Sequence, residues 1–179
     1  MKAGFDISLN GSGIAFEDDR FYFQTSLVKL PKKLTEGNIT GYTIAKRKDG
    51  ITLKYKTNAE DIIKECIHRG ITEVAMEGYA YGYGSNNSPG MVFDIAEFSG
   101  IVKYLLMVND IKLTIIPPKK IKKNATKNGN ASKVLMVEEY LKRCPKSALI
   151  DFIDTYHLNK YKSPINDLVD AWFALQMIL

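Results

Sequence analysis

The stretch MKAGFDISLNGSGIAFE, residues 1–17, decides how the rest of the chain is read. Its apolar run carries one carboxylate, Asp6, and is followed at once by Ser8, Asn10, Gly11, Ser12 and Gly13. An Asp inside an apolar strand needs compensation, either from backbone N–H groups of the following turn or from other charged groups that the fold brings to it. Residues 2–9 alternate as a strand, 13–17 supply a second, and the Asn10-Gly11-Ser12 turn joins them. Residues 20–27 alternate again, with Phe21, Phe23, Thr25 and Leu27 on one face and Tyr22, Gln24 and Ser26 on the other. Strands so close in sequence imply an antiparallel meander.

Beyond the meander, residues 29–56 are punctuated by Pro31, Gly37, Gly41 and Gly50 and contain β-prone pieces such as Ile51-Thr52-Leu53, which predicts an irregular insert or an extra hairpin. A capping box, Thr57 with Glu60, predicts a helix running through Ile62, Ile63, Cys66 and Ile67 to Gly70. Residues 71–77 form a short buried strand ending in Glu77, and the loop GYAYGYGSNNSPG follows at 78–90. Met91, Ile95, Phe98, Val102 and Leu105 recur at helical spacing, and Ile111, Leu113 and Ile115 alternate as a strand that Pro117 and Pro118 end. A lysine-rich loop leads to a helix from near Ser132 to Cys144, then a short helix over 147–157. Ser163 and Pro164 make an N-cap and N1 pair for a terminal helix reaching Leu179, apolar nearly all round and so buried against the sheet or a partner subunit. The expectation is an α/β protein, one domain over 1–179, with a five-stranded mixed sheet flanked by helices.

The chain has 179 residues, 45% hydrophobic and 25% charged, which suits one ordinary folded core. Cys66 and Cys144 show no metal-type spacing and form no disulfide framework, which points to a reducing compartment. His68 and His157 are the only imidazoles, so a bound metal is expected to be hard and oxygen-ligated. No apolar run is long enough to span a bilayer and no signal-peptide pattern opens the chain, so a cytoplasmic location without membrane association is expected. The net charge is +5, and residues 111–137 hold no acid but contain Lys112, Lys119, Lys120, Lys122, Lys123, Lys127 and Lys133. Such a patch fits a polyanion; the plainer alternative is a solvated face that aids solubility.

Four carboxylates stand out: Asp6 in the first strand, Glu77 closing the fourth, and Asp167 and Asp170 three apart on one face of the terminal helix. The helix dipole accounts for an acid in the first turn but fades by Asp170. If the first and fourth strands are neighbours and the last helix crosses their ends, the four converge. Two such charges about 4 Å apart repel by roughly 4 kcal/mol at an effective dielectric of 20, so a cation is required. Oxygen ligands select Mg²⁺ or Mn²⁺, and two ions about 4 Å apart support in-line phosphodiester displacement. A metal-dependent nuclease is therefore expected, with the basic patch facing its substrate.

GFDISLNGSGIAF, the strand-end Glu of AMEGYAYG, the TKNGNASK segment and NDLVDAWFAL resemble, in order, the four motifs of the RuvC family of Holliday-junction resolvases, members of the RNase H-like superfamily. The resemblance implies catalytic, metal-binding acids at Asp6, Glu77, Asp167 and Asp170, the last two in the D-x-x-D-A spacing of Asp167-Leu168-Val169-Asp170-Ala171. Gly129, Ala131 and Lys133 match the family's G-x-A-x-K, whose Lys lies close to the scissile phosphate, and Glu97-Phe98-Ser99-Gly100 is similar to the helical turn after its second motif. It also implies a homodimer acting on branched DNA, especially four-way junctions, with two Mg²⁺ per site and Mn²⁺ as substitute. Lys119, Lys120, Lys122, Lys123, Lys127 and Lys133 would contact DNA, and Tyr79, Tyr81 or Tyr83 would take the place of the family's junction-centre aromatic. The insert at 29–56 and the Tyr-rich loop depart from the family and suggest a divergent, phage-type member. The Gly11–Gly13 turn is expected to leave room for the DNA backbone. D-x-S-x-x-G-S-G also resembles the phosphate loop of actin-type ATP-binding proteins, but that architecture needs two domains, so no nucleotide cofactor is expected. Another RNase H-like nuclease, or a DNA-binding module without catalysis, stays open as an alternative.

Overall fold

The computed structural model describes residues 1–44, 51–78 and 89–179, without the side chains of 51, 52 and 89–91. Strands β1 (Lys2–Asp6), β2 (Gly11–Phe16) and β3 (Phe21–Thr25) form the antiparallel meander read from the opening stretch. A hairpin of β4 (Lys33–Glu36) and β5 (Ile39–Thr43) follows, with β5 parallel to β3. Helix α1 (Ile51–His68), β6 (Glu73–Glu77), α2 (Pro89–Val108) and β7 (Lys112–Ile116) come next. Helices α3 (Pro118–Thr126), α4 (Lys133–Arg143), α5 (Ala148–Thr155) and α6 (Ile165–Leu175) complete the described order. The sheet runs β4-β5-β3-β2-β1-β6-β7, with β6 parallel to both β1 and β7.

The sheet lies between two helical layers. Ala3, Phe5, Ile14 and Phe16 pack with Ile62, Phe98, Val102 and Leu106 of α1 and α2. Ala15, Phe21 and Phe23 pack with residues of α4, α5 and α6 on the opposite face. Every residue of β2 and β3 is buried, so Tyr22 and Gln24, placed on the second face of their strand by alternation, point into a second core rather than into water. Among the described residues no helix is long and apolar enough to cross a membrane.

Four expectations are corrected. The sheet has seven strands, not five, because residues 33–43 extend its β3 edge as a hairpin. Helix α1 begins at Ile51 rather than at Thr57: the buried stripe of Ala59, Ile62 and Cys66 reaches back to Tyr55, whose ring packs 5.6 Å from that of Phe98. Thr57 is thus inside the helix, and its hydroxyl donates to the Leu53 carbonyl at 3.0 Å. The lysine-rich segment starts as helix α3: the prolines that end β7 also start it, Ile121 and Ala125 are buried, and the lysines take the outer face. Helix α6 ends at Leu175, and its N-cap position is Pro164 with no side-chain cap, so Ser163 is not the capping residue.

The polar residues of the opening stretch are satisfied locally. Ser8 donates to the Gly11 carbonyl at 2.6 Å and accepts from its N–H at 3.1 Å, while Ser12 donates to the Ser8 carbonyl at 3.0 Å. They fix the turn and leave Asp6 to be compensated from elsewhere.

Candidate active site

Asp6 ends β1 and Glu77 ends β6. These strands are parallel neighbours with Phe5 opposite Met76, so the two acids emerge together, one residue further on, at the same edge. Helix α6 then crosses this end of the sheet at very short range. A Cβ on Gly4 would run into the Ala171 carbonyl and the Leu175 N–H, one on Gly13 into the Asp167 backbone, and one on Gly11 would come within 2.5 Å of Ser163 Oγ and 2.7 Å of Asp167 Oδ2. Glycine in a strand interior marks close backbone approach. The three glycines seat the helix and so bring Asp167 and Asp170 over Asp6. Gly11 and Gly13 therefore serve helix–sheet contact.

The charges interact as this placement requires. Burial, then Asp170, Glu77 and Asp167, push the Asp6 carboxyl well above the usual range, with Lys133 opposing. Burial raises Glu77 to about 7, reinforced by Asp170 and opposed by Lys122 and Lys133. Asp170 is raised to about 6 by burial, against the pull of Lys133. Burial also raises Asp167, moderated by its bond from Ser163 and by Lys133.

Lys133 is the first residue of α4. Ser132 caps that helix by accepting from the Leu135 N–H at 3.2 Å. The Lys133 ammonium lies 3.7 Å from Asp167 Oδ1 and 3.9 Å from Asp170 Oδ2. Burial works to lower its pKa, but Asp6, Asp170, Asp167 and Glu77 together hold it raised. The G-x-A-x-K pattern has a packing basis: a Cβ on Gly129 would come within 3.2 Å of the Lys119 carbonyl, and Ala131 is buried in the core. The segment before α4 is thus drawn against α3, and Lys133 is delivered to the acids. Lys122, half-buried on α3, acts on Glu77 and Asp170. Lys119, Lys120, Lys123 and Lys127 are exposed and stand outside the carboxylate cluster. Tyr79 and Tyr81, like Tyr83, lie outside the described residues.

Ser163 has a role that the sequence reading did not assign: its hydroxyl donates to Asp167 Oδ2 at 2.5 Å. Asp167 is therefore held at both oxygens, by Ser163 and by Lys133. Among the described residues no three His, Cys, Asp or Glu side chains converge on one ion-sized point. The donor set nevertheless suits a hard divalent cation: all four acids offer oxygen donors, and among the described residues Lys133 is the ammonium paired with Asp167 and Asp170.

Sheet order, flanking helices and acids at the ends of β1 and β6 define an α/β protein of RNase H-like architecture. The solved structures it is similar to include RuvC and a Holliday junction resolvase. The Thermus thermophilus RuvC structure aligns with a TM-score of 0.60 at 12% identity, covering 97% of this chain and 91% of that one. T. thermophilus RuvC in complex with a Holliday junction substrate aligns at 0.53 and 12% identity, covering 97% and 88%. The yeast mitochondrial Holliday junction resolvase Ydc2 aligns at 0.58 and 14% identity, covering 98% and 78%. At these identities the likeness is one of fold. No family model matches the sequence, and no curated protein sequence matches it.

Proposed function

We propose that this protein is a structure-selective endodeoxyribonuclease that resolves four-way DNA junctions by metal-dependent phosphodiester hydrolysis. The observation that carries the reading is the gathering of Asp6, Glu77, Asp167 and Asp170 around Lys133, in a fold whose solved neighbours include RuvC and a Holliday junction resolvase.

In this reading Asp6, on a rigid strand, is the central ligand for Mg²⁺ or Mn²⁺, with Glu77, Asp167 and Asp170 around it. A bound pair of such ions supplies an activated water and charge stabilisation at the leaving oxygen. The protein's own groups do the rest. Ser163 and the close seat of α6 fix the Asp167 carboxylate, so little reorganisation is needed when substrate arrives. Lys133 and Lys122 bring positive charge to the place where the scissile phosphate must lie. Lys119, Lys120, Lys123 and Lys127, on the outer face of α3 and just past it, bind phosphates further along the DNA.

A four-way junction has two-fold symmetry, which favours a C2 homodimer carrying two sites. Helix α2 supports this. Phe93, Glu97, Gly100, Tyr104 and Met107 recur at alternating four- and three-residue steps, and Phe93, Tyr104 and Met107 are 68%, 58% and 65% exposed. Gly100 has open space where a side chain would stand, so a second helix could approach closely there.

The test is cleavage of a four-way junction, a Y-fork and an RNA–DNA hybrid side by side, with Mg²⁺, Mn²⁺ or chelator. Symmetric nicking of the junction with either ion, and none with chelator, is expected. Asp6→Asn should lower the rate by about 100-fold or more while leaving junction binding intact. Cutting of the hybrid alone would overturn the resolvase reading, and normal cutting by Asp6→Asn would overturn the site assignment.

A further inference from the structure

Beside the carboxylates lies a cleft of about 450 Å³. Lys133 and Asp167 border it, and Asn10, Leu27, Val28 and Lys162 line it further on. Its walls come from the β1–β2 connection, the turn after β3 and the segment leading into α6. The volume is within the range of about 300–1,000 Å³ typical of small-molecule sites.

Its lining combines three chemistries. Leu27 is 60% exposed, an apolar side chain turned out at the rim of a polar cleft. Asn10 is exposed and held in place, its carbonyl accepting from the Ser26 N–H at 2.9 Å, and the Ser26 hydroxyl lies 3.4 Å from its Oδ1. That arrangement leaves the Asn10 amide nitrogen as a donor at the cleft. Lys162 is exposed and forms no ion pair among the described residues. An apolar surface, an amide and an uncommitted cation, continuous with the reactive acids, match the base face, base edge and phosphate of one nucleotide.

We propose that this cleft holds the nucleotide bordering the scissile phosphate, with Leu27 against its base, Asn10 on the base edge and Lys162 on its phosphate. The inference rests on the nuclease reading above and adds to it a subsite that senses the base next to the cut. Discrimination would then come from a surface separate from the metal-binding acids. Cutting of unstacked junction strands would expose such a base, which duplex DNA keeps in its stack.

The experiment compares intact junctions with junctions carrying an abasic residue on one or the other side of the scissile phosphate, using wild type and the double variant Asn10→Ala/Leu27→Ala. Both positions are exposed, so the double variant should keep the thermal midpoint. Wild type is expected to cut one of the abasic junctions about tenfold less efficiently than the intact one, and the double variant should lose that discrimination. Lys162→Met should raise KM more than it lowers kcat, with the effect growing as salt is reduced. Equal cutting of intact and abasic junctions by wild type, or full discrimination retained by the double variant, overturns the subsite and leaves the nuclease reading standing. Failure of wild type to cut any branched DNA overturns both.

Discussion

Gly13 lies directly beneath Asp167, so close that a Cβ on the glycine would overlap the aspartate's backbone carbonyl. Strand β2 and helix α6 therefore meet through main chain rather than side chains, and the position of an acid in the cluster depends on a residue with no side chain. Gly13→Val should force α6 away from the sheet and cost about 1–3 kcal/mol or more. The thermal midpoint should fall, and any residual fold should lose nuclease activity, because Asp167 and Asp170 move with the helix. An unchanged midpoint with full activity would show that α6 is not seated through this contact.

Much of this was legible because the relevant signals are local. The meander followed from alternation over residues 2–27, and the four acids announced themselves as charges in apolar surroundings. The helix start near Ser132 was readable, and the structure shows the Ser132 hydroxyl capping it. What escaped depended on partners distant in sequence. The start of α1 was masked by a capping-box pattern at Thr57, whereas the buried Tyr55 and its contact with Phe98 decide the boundary. The link from Ser163 to Asp167 looked like a cap, because its spacing before a helix is the same in both cases. Gly11 and Gly13 read as part of the turn after the first strand, and Gly4 as an ordinary strand residue. Only the tertiary structure shows that they accommodate a helix.

The raised carboxyls make the stability of the metal-free protein depend on pH. Glu77 at about 7 and Asp170 at about 6, against ordinary values of 4.5 and 3.8, mean that the folded state binds protons more tightly than the unfolded state. Stability from this source is fully present below about pH 4 and is lost as pH rises through 6 and 7. Thermal melts in chelator should thus show a falling midpoint from pH 5 to pH 8. Glu77→Gln, which carries no charge to repel, should flatten that fall, and saturating Mg²⁺ should raise the wild-type midpoint most at the alkaline end. A midpoint that rises with pH in wild type relative to Glu77→Gln would contradict the arrangement of charges.

The outer stripe of α2 should carry the dimer. Phe93, Tyr104 and Met107 are far more exposed than the buried Phe98 and Val102 of the same helix, and Gly100 allows close approach between them. A stable symmetric interface buries on the order of 1,200–2,000 Å² in total, which needs most of such a helix face. Met107→Lys places a charge at the C-terminal end of this face and should convert a dimer into monomer at micromolar concentration, read by light scattering on a sizing column. Junction binding should then weaken, and paired nicks should give way to single nicks. A Met107→Lys protein that stays dimeric would move the interface elsewhere.

The exposed lysines should act on DNA through charge alone. Lys119, Lys120, Lys123 and Lys127 are exposed, and no carboxylate in the cluster draws them in, unlike Lys133. Each phosphate contact releases condensed counterions, so the slope of log affinity against log salt should shrink by about 0.9 for every lysine that touches a phosphate. Alanine substitution at these four positions, measured on a catalytically silent Asp6→Asn background, should lower the slope stepwise and weaken binding equally on junctions of different sequence. Lys133→Ala should behave differently: one of the charges balancing the acids is lost, so cleavage should drop far more than binding. Equal loss of binding from Lys133→Ala and Lys120→Ala, with cleavage following binding in both, would place Lys133 with the outer lysines and remove it from the chemistry.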